Sequence, residues 1–188
     1  DINFATEADY TNNLRTILAK TTWFDPNQFV IPKVYWELTN PKFLVLEWLD
    51  GVPILTADLS QPPGEKNITE RKKEITTLLF RAFFQQLYVD GFFHADPHPG
   101  NIFYLADGRL ALIDCGMVGR LDPRTRQLIT EMLLAIVDLD AKRCAQLTVE
   151  LSESVGRVNF QRLEVDYERM LRKYYDLNLS EFNFSEVV

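Results

Sequence analysis

The feature that most constrains this chain lies between residues 91 and 116, where polar residues flank two very short apolar runs. His94-Ala95-Asp96 is followed by Asn101, giving H-x-D-x-x-x-x-N, and Asp114-Cys115-Gly116 begins thirteen residues after that asparagine. Between them Ile102 to Leu105 and Leu110 to Ile113 read as strands, and Asp107-Gly108 is a strong hairpin signal. Such a hairpin returns the chain to the end it started from. Asn101 and Asp114 are therefore expected side by side, with Asp96 close to both.

Two carboxylates and an amide gathered in this way suit phosphoryl transfer. Its transition state spreads negative charge over the transferred group, so catalysis is mostly positioning and electrostatics. Magnesium takes oxygen ligands in near-octahedral geometry and uses only one or two protein oxygens beside phosphates and water. Asp114 can supply a carboxylate for the ion and Asn101 a neutral amide oxygen, while Asp96 orients a hydroxyl or water and accepts its proton. His94 stands where the kinase catalytic loop, which this spacing resembles, carries a histidine that braces the loop, so a structural role is expected of it. His98, in His98-Pro99-Gly100-Asn101, is a candidate either for phosphate or metal contact or for a hydrogen bond to a backbone carbonyl. Cys115, in the middle of D-x-G, reads as a small packing residue.

The remaining sequence predicts an α+β protein that is mostly helical after residue 50. Residues 4 to 19 have helical spacing, with Leu14, Ile17 and Leu18 on one face. Val34 to Trp36 and Phe43 to Leu46 read as strands around Thr39-Asn40-Pro41. Leu59 to Lys66 is a loop, and Asn67 with Glu70 resembles a capping box. The helix it opens shows Ile75, Leu78, Leu79, Ala82, Phe83 and Leu87 on its apolar face. Asp122-Pro123 starts a further helix through Leu139, and helices are expected at 141–152 and 160–175.

Composition narrows the function. A net charge of −7 over 188 residues argues against a broad nucleic-acid footprint. Two cysteines make neither a disulfide framework nor a zinc site. No eighteen-residue stretch is free of charge, so none is expected to span a membrane. The chain opens without methionine, inside a helical pattern, as an excerpt of a longer protein would.

With Phe93 to Asn101 and Asp114-Cys115-Gly116-Met117-Val118-Gly119 in view, the chain resembles the UbiB family of atypical kinases, also called aarF-domain kinases, over essentially its whole length. Choline kinases and aminoglycoside phosphotransferases share a similar H-x-D-x-H-x-x-N loop, and a small-molecule phosphotransferase of that type is the alternative. Pro97 and the Gly-Met-Val-Gly run favour UbiB. The resemblance implies a protein-kinase-like fold, with residues 1–50 as a partial N-terminal lobe (helix C, two strands and hinge) and 51–188 as a mostly helical C-terminal lobe. It places Glu7 where helix C carries a lysine-pairing glutamate, and Leu46 to Gly51 as the hinge, making Glu47 and Leu49 nucleotide-binding candidates.

That family carries E-x-D just before the glutamate, where this chain has Asp1 and Asn3, and its K-x-G-Q segment, nucleotide loop and lysine should precede residue 1. The excerpt alone is accordingly expected to be inactive. The resemblance further implies ATP with Mg2+ or Mn2+, and kinase or ATPase chemistry linked to isoprenoid quinone biosynthesis or prenyl-lipid handling. Quinone-pathway proteins would be partners, in a cytoplasmic or organellar interior at the membrane periphery. A nucleotide-gated scaffold without turnover is the reading from a different functional class.

Overall fold

The computed structural model describes residues 3–60, 67–152 and 158–176. The chain forms two compact units, Asp1–Arg120 and Leu121–Val188. Most of the expected loop at Leu59 to Lys66, the tail from Glu181, and Asp1 lie outside the described residues.

The first unit opens with helix α1, Phe4–Leu18, capped by Asn3, whose side chain accepts from the Ala5 amide at 3.1 Å. Ala8, Thr11, Leu14 and Leu18 form its buried face. A four-stranded sheet follows from strands widely separated in sequence: β1 (Phe29–Val30), β2 (Gly51–Pro53), β4 (Ile102–Leu105) and β5 (Leu110–Leu112), in the order β1-β5-β4-β2. β4 and β5 are the expected hairpin. Gly108 at its turn has φ 88° and donates to Leu105 at 2.9 Å. β1 joins β5 in parallel and β2 joins β4 antiparallel. A separate ribbon pairs β3 (Phe92–His94) with β6 (Val118–Arg120) antiparallel. Leu14, Leu18, Phe29, Ile31, Phe92, Ile102, Leu110 and Leu112 share one core.

The segments expected as strands at 34–36 and 43–46 pair only through a bridge between Val34 and Leu46. Trp36–Leu38 is instead a 3₁₀ turn. The Val45 amide bonds the Thr39 hydroxyl at 3.2 Å rather than a backbone carbonyl, and Pro32 and Pro41 bring no N–H to a ladder.

Helix α2 spans Ile68–Phe84 and begins with the capping box of Asn67 and Glu70. Its continuation, Gln85–Asp90, is a π turn closed by Gly91 in the left-handed region at φ 65°. The expected apolar stripe therefore changes register at its end. Gln85 and Gln86 are buried, while Leu87 is only half-buried.

The second unit contains α3 (Pro123–Val137), α4 (Ala141–Leu151) and α5 (Phe160–Asp176). Asp122 caps α3 by accepting from Arg124 and Thr125 at 2.9 and 3.0 Å. α3 stops two residues before the expected Leu139. That leucine takes φ 56°, turning the chain so that Asp140 caps α4. Leu128, Ala135, Cys144, Leu147 and Leu171 form this unit's core. Arg143 on α4 pairs with Glu131 on α3.

Gly51 is required by close approach. A Cβ there would lie 2.7 Å from both the Tyr104 carbonyl oxygen and Leu105 Cδ2. Because the nearer obstacle includes backbone, β2 would have to move off β4. Gly51→Ala is expected to lower stability by about 1–3 kcal/mol, seen as an earlier urea midpoint with an unchanged slope.

Candidate active site

The segment after β3 is held at both ends by one imidazole. His94 is 2% exposed. Its Nδ1 accepts from the Asp96 amide at 3.2 Å, so Nε2 carries the proton and donates to the carbonyl oxygen of Asp114. One ring thus ties the H-x-D loop to the D-x-G segment. The expected bracing role of His94 has this geometry behind it.

Backbone bonds complete the convergence. Ile113, next to Asp114, donates to the Asn101 carbonyl at 3.0 Å, and Ala95 donates to the Met117 carbonyl at 3.0 Å. Asn101 Nδ2 faces the Asp96 carbonyl at 3.4 Å. Asp96, Asn101 and Asp114 therefore stand at one end of the β4–β5 hairpin, the two aspartates exposed and the asparagine half-buried. Asp114 Oδ1 accepts from the Gly116 amide at 3.0 Å. This arrangement fits a hard divalent cation in its donor chemistry: a carboxylate with its second oxygen uncommitted to that turn, and an amide whose nitrogen is turned to Asp96 so that its oxygen is the group left for a ligand. Among the described residues no three His, Cys, Asp or Glu side chains cluster as a metal site.

Glu7 joins them from α1. A Cβ built on Gly116 would sit 3.2 Å from Asp114 Oδ1 and 3.5 Å from Glu7 Oε2, so the glycine leaves the gap that the two carboxylates share. Partial burial, and then the negative charge of Asp114, push the Glu7 carboxyl above its ordinary value. Cys115 points the other way, into the core against Thr11, and burial pushes its thiol up to about 12.

His98 is exposed, and its Nδ1 accepts from the Gly100 amide at 3.0 Å, which caps the turn Pro99–Asn101. That bond is to an amide, not to the backbone carbonyl expected as one option. Glu47 is bonded back to the Lys33 segment. Its carboxylate accepts from the Lys33 amide at 3.1 Å, and it borders a cavity of about 520 Å³ with Arg15, Lys20 and Arg109, whose lining includes none of Asp96, Asn101 and Asp114. Leu49 is half-buried beside it in sequence.

Gln86 is a member of this network that the motifs do not announce. It is fully buried, accepts from the His94 amide at 2.9 Å and donates to the Ala82 carbonyl at 3.0 Å. The signal was present: position 86 follows Ala82 by four and Leu79 by seven, a polar side chain on an apolar stripe.

The comparisons agree on a family. Residues 1–148 match the profile of the ABC1 atypical kinase-like domain. An uncharacterized protein of Synechocystis sp., slr0889, is 92% identical over 188 residues, covering all of this chain and 46% of its own length. A probable protein kinase UbiB of Azotobacter vinelandii is 32% identical over 164 residues, covering 84% of this chain and 29% of its own. The complex of Rv3197 with erythromycin from Mycobacterium tuberculosis matches with TM-score 0.59 and 25% identity, over 93% of this chain and 41% of that one. The chain thus spans less than half the length of these relatives.

Two outcomes test the site. The raised carboxyl of Glu7 means that the folded chain binds that proton more tightly than the unfolded one. Ionisation therefore destabilises the fold increasingly as pH rises above about 4.5, the ordinary value. In chelator-containing buffer, the melting temperature of Glu7→Gln relative to wild type should be higher at pH 7.5 than at pH 4. A constant difference would remove the shared-charge account. Separately, Cys115 and Cys144 are buried with raised thiols, so Ellman's reagent should titrate neither at pH 8 until denaturant is added.

Proposed function

The chain belongs to the ABC1 atypical kinase-like family, and on that premise we propose that it supplies the phosphate- and metal-handling part of an ATP-dependent phosphotransferase or ATPase. The observation that carries this reading is the imidazole of His94, bonded on one side to the Asp96 amide and on the other to the Asp114 carbonyl. With the backbone bonds from Ile113 to Asn101 and from Ala95 to Met117, this ring links the two loops, which supports a reading in which the Asp96 and Asp114 carboxylates serve one site.

In this reading Asp114 and the Asn101 amide oxygen would hold Mg2+ or Mn2+. When bound, the ion neutralises charge on the phosphates and fixes their orientation. Asp96, exposed at the loop's tip, orients the attacking hydroxyl or water and accepts its proton. Glu7, on the helix that packs over D-x-G, offers its carboxylate to a cationic partner at the phosphates, which would relieve its repulsion with Asp114. Residues 1–50 would act as part of the N-terminal lobe and 51–188 as the C-terminal lobe, with Glu47 and Leu49 at the nucleotide. Among the described residues no helix is long and apolar enough to cross a membrane.

The substrate side is an extension of the same proposal. The UbiB relatives carry the name protein kinase, and the family resemblance supports action in isoprenoid quinone biosynthesis or prenyl-lipid handling, at the periphery of a membrane.

Paired variants at the protein's full natural length separate turnover from binding. Asp96→Asn should reduce ATP hydrolysis by about 10²- to 10⁴-fold while Mg-ATP affinity, followed by calorimetry, stays within a few-fold. Asp114→Asn should weaken magnesium-dependent nucleotide binding itself. Unchanged hydrolysis in Asp96→Asn would overturn the enzymatic reading in favour of a nucleotide-gated scaffold.

A further inference from the structure

We propose that Gln86 is a positioning residue for the catalytic loop, acting through the backbone of His94; this rests on the phosphotransfer reading above. Among the described residues β3 is paired on one side only, by β6. In that ribbon His94 stands opposite Val118, and the neighbouring Ala95 amide donates to Met117. The His94 amide is met instead from α2's π turn, by Gln86 Oε1 at 2.9 Å.

The other end of the Gln86 amide is fixed as well. Nε2 donates to the Ala82 carbonyl at 3.0 Å, one turn back along α2. The side chain is fully buried and makes one bond at each end, so its length sets the distance from helix to strand. The next residue, Gln85, is committed in the opposite direction: it accepts from Thr21, just beyond α1, at 3.1 Å and reaches Asp90 at 3.2 Å. The π turn is what makes this pairing work, because its extra residue per turn places two successive glutamines inside.

His94 is the residue whose ring joins the Asp96 amide to the Asp114 carbonyl. Its backbone position decides where the ring's two nitrogens fall. Gln86 touches neither substrate nor metal; it sets the residue that sets both aspartates. An ordinary buried glutamine would stabilise the fold and leave the turnover of folded molecules unchanged. A positioning residue moves kcat, since misplacing a reacting group by about 1 Å can cost about 10²-fold.

Three variants of the full-length protein divide these cases. Gln86→Met keeps the side chain's length and removes the acceptor. Gln86→Glu keeps an acceptor for the His94 amide and disturbs only the Ala82 end. Both should lower the melting temperature. ATP hydrolysis should lose about 10- to 100-fold in kcat for Gln86→Met, with KM for ATP within about threefold, whereas Gln86→Glu keeps kcat within a few-fold. Where Gln86→Met does not fold, Gln86→Asn replaces it, because its shorter amide cannot span the gap, and the same loss is expected.

The second readout is the imidazole of His94 by ¹⁵N NMR. Wild type and Gln86→Glu should hold the Nε2–H tautomer, while Gln86→Met or Gln86→Asn shows tautomer averaging. Wild-type kcat in the Met or Asn variant, or equal losses in Met and Glu, would overturn the proposal. If wild type itself hydrolyses no ATP, the phosphotransfer reading fails, and the imidazole spectrum alone then decides the role of Gln86: an unaltered tautomer in the Met or Asn variant sinks it.

Discussion

The geometry of the site depends on a buried imidazole with both nitrogens engaged. Neutral His94 is an acceptor at one nitrogen and a donor at the other, and here it finds a donor in the Asp96 amide and an acceptor in the Asp114 carbonyl. The two functions sit on separate nitrogens of one rigid ring, so a single side chain serves both loops. A lysine or arginine only donates, and a carboxylate only accepts. The ring adds to the backbone bonds from Ile113 to Asn101 and from Ala95 to Met117 that also link the two loops. With it, the backbones are joined and the carboxylates are left to face solvent.

Around that tie, each residue of Asp114-Cys115-Gly116 has a separate task. Asp114 and Gly116 are exposed, while Cys115 between them is completely buried. The thiol reaches Thr11, whose hydroxyl donates to the Glu7 carbonyl at 2.8 Å one turn earlier. Cys115 is thus a peg that seats D-x-G under α1, and Glu7 is carried over Asp114 as a consequence. The placement of that glutamate is fixed by packing at Thr11 and Ala8 as much as by its own charge.

Much of this was legible in the residues, and what was not has a common cause. Caps at Asn67 and Asp122, the Asp107-Gly108 hairpin and the limits of α1 are local, settled by chemistry within a few positions. β1 has two residues and β2 three, too short to show a period of two; each is a strand because a hydrogen-bonding edge of β5 or β4 waits beside it. Val34 to Trp36 had strand-like residues, but the Tyr35 carbonyl accepts from the Thr39 hydroxyl, the Val45 amide opposite donates to that same hydroxyl, and Trp36 opens a 3₁₀ turn. The π turn escaped because a 3.6-residue period assumes the helix keeps its pitch, and here the buried face shifts by a residue at Gln85. Spacing could place Asp96, Asn101 and Asp114 at one end of a hairpin. It could not show that Glu47 turns back onto Lys33, since an exposed glutamate has no pattern to break.

The polar interior near β3 also has a physical cost that a purely structural account leaves unexplained. Burying an amide and an imidazole removes them from water, and the bonds they form return only about 0.5–1.5 kcal/mol each in net stability. Among the described residues no buried side-chain nitrogen or oxygen lacks a partner, so the network is complete, and a complete network rigidifies. A leucine at position 86 and a phenylalanine at 94 would extend the core that Ala82, Phe92 and Cys115 already share. They would also leave Asp96 and Asp114 without a common reference. The chain keeps hydrogen-bonded groups there because direction, unlike burial, cannot be supplied by apolar contact: a hydrocarbon core fixes how close two loops come, and only donors and acceptors fix which way their carboxylates face.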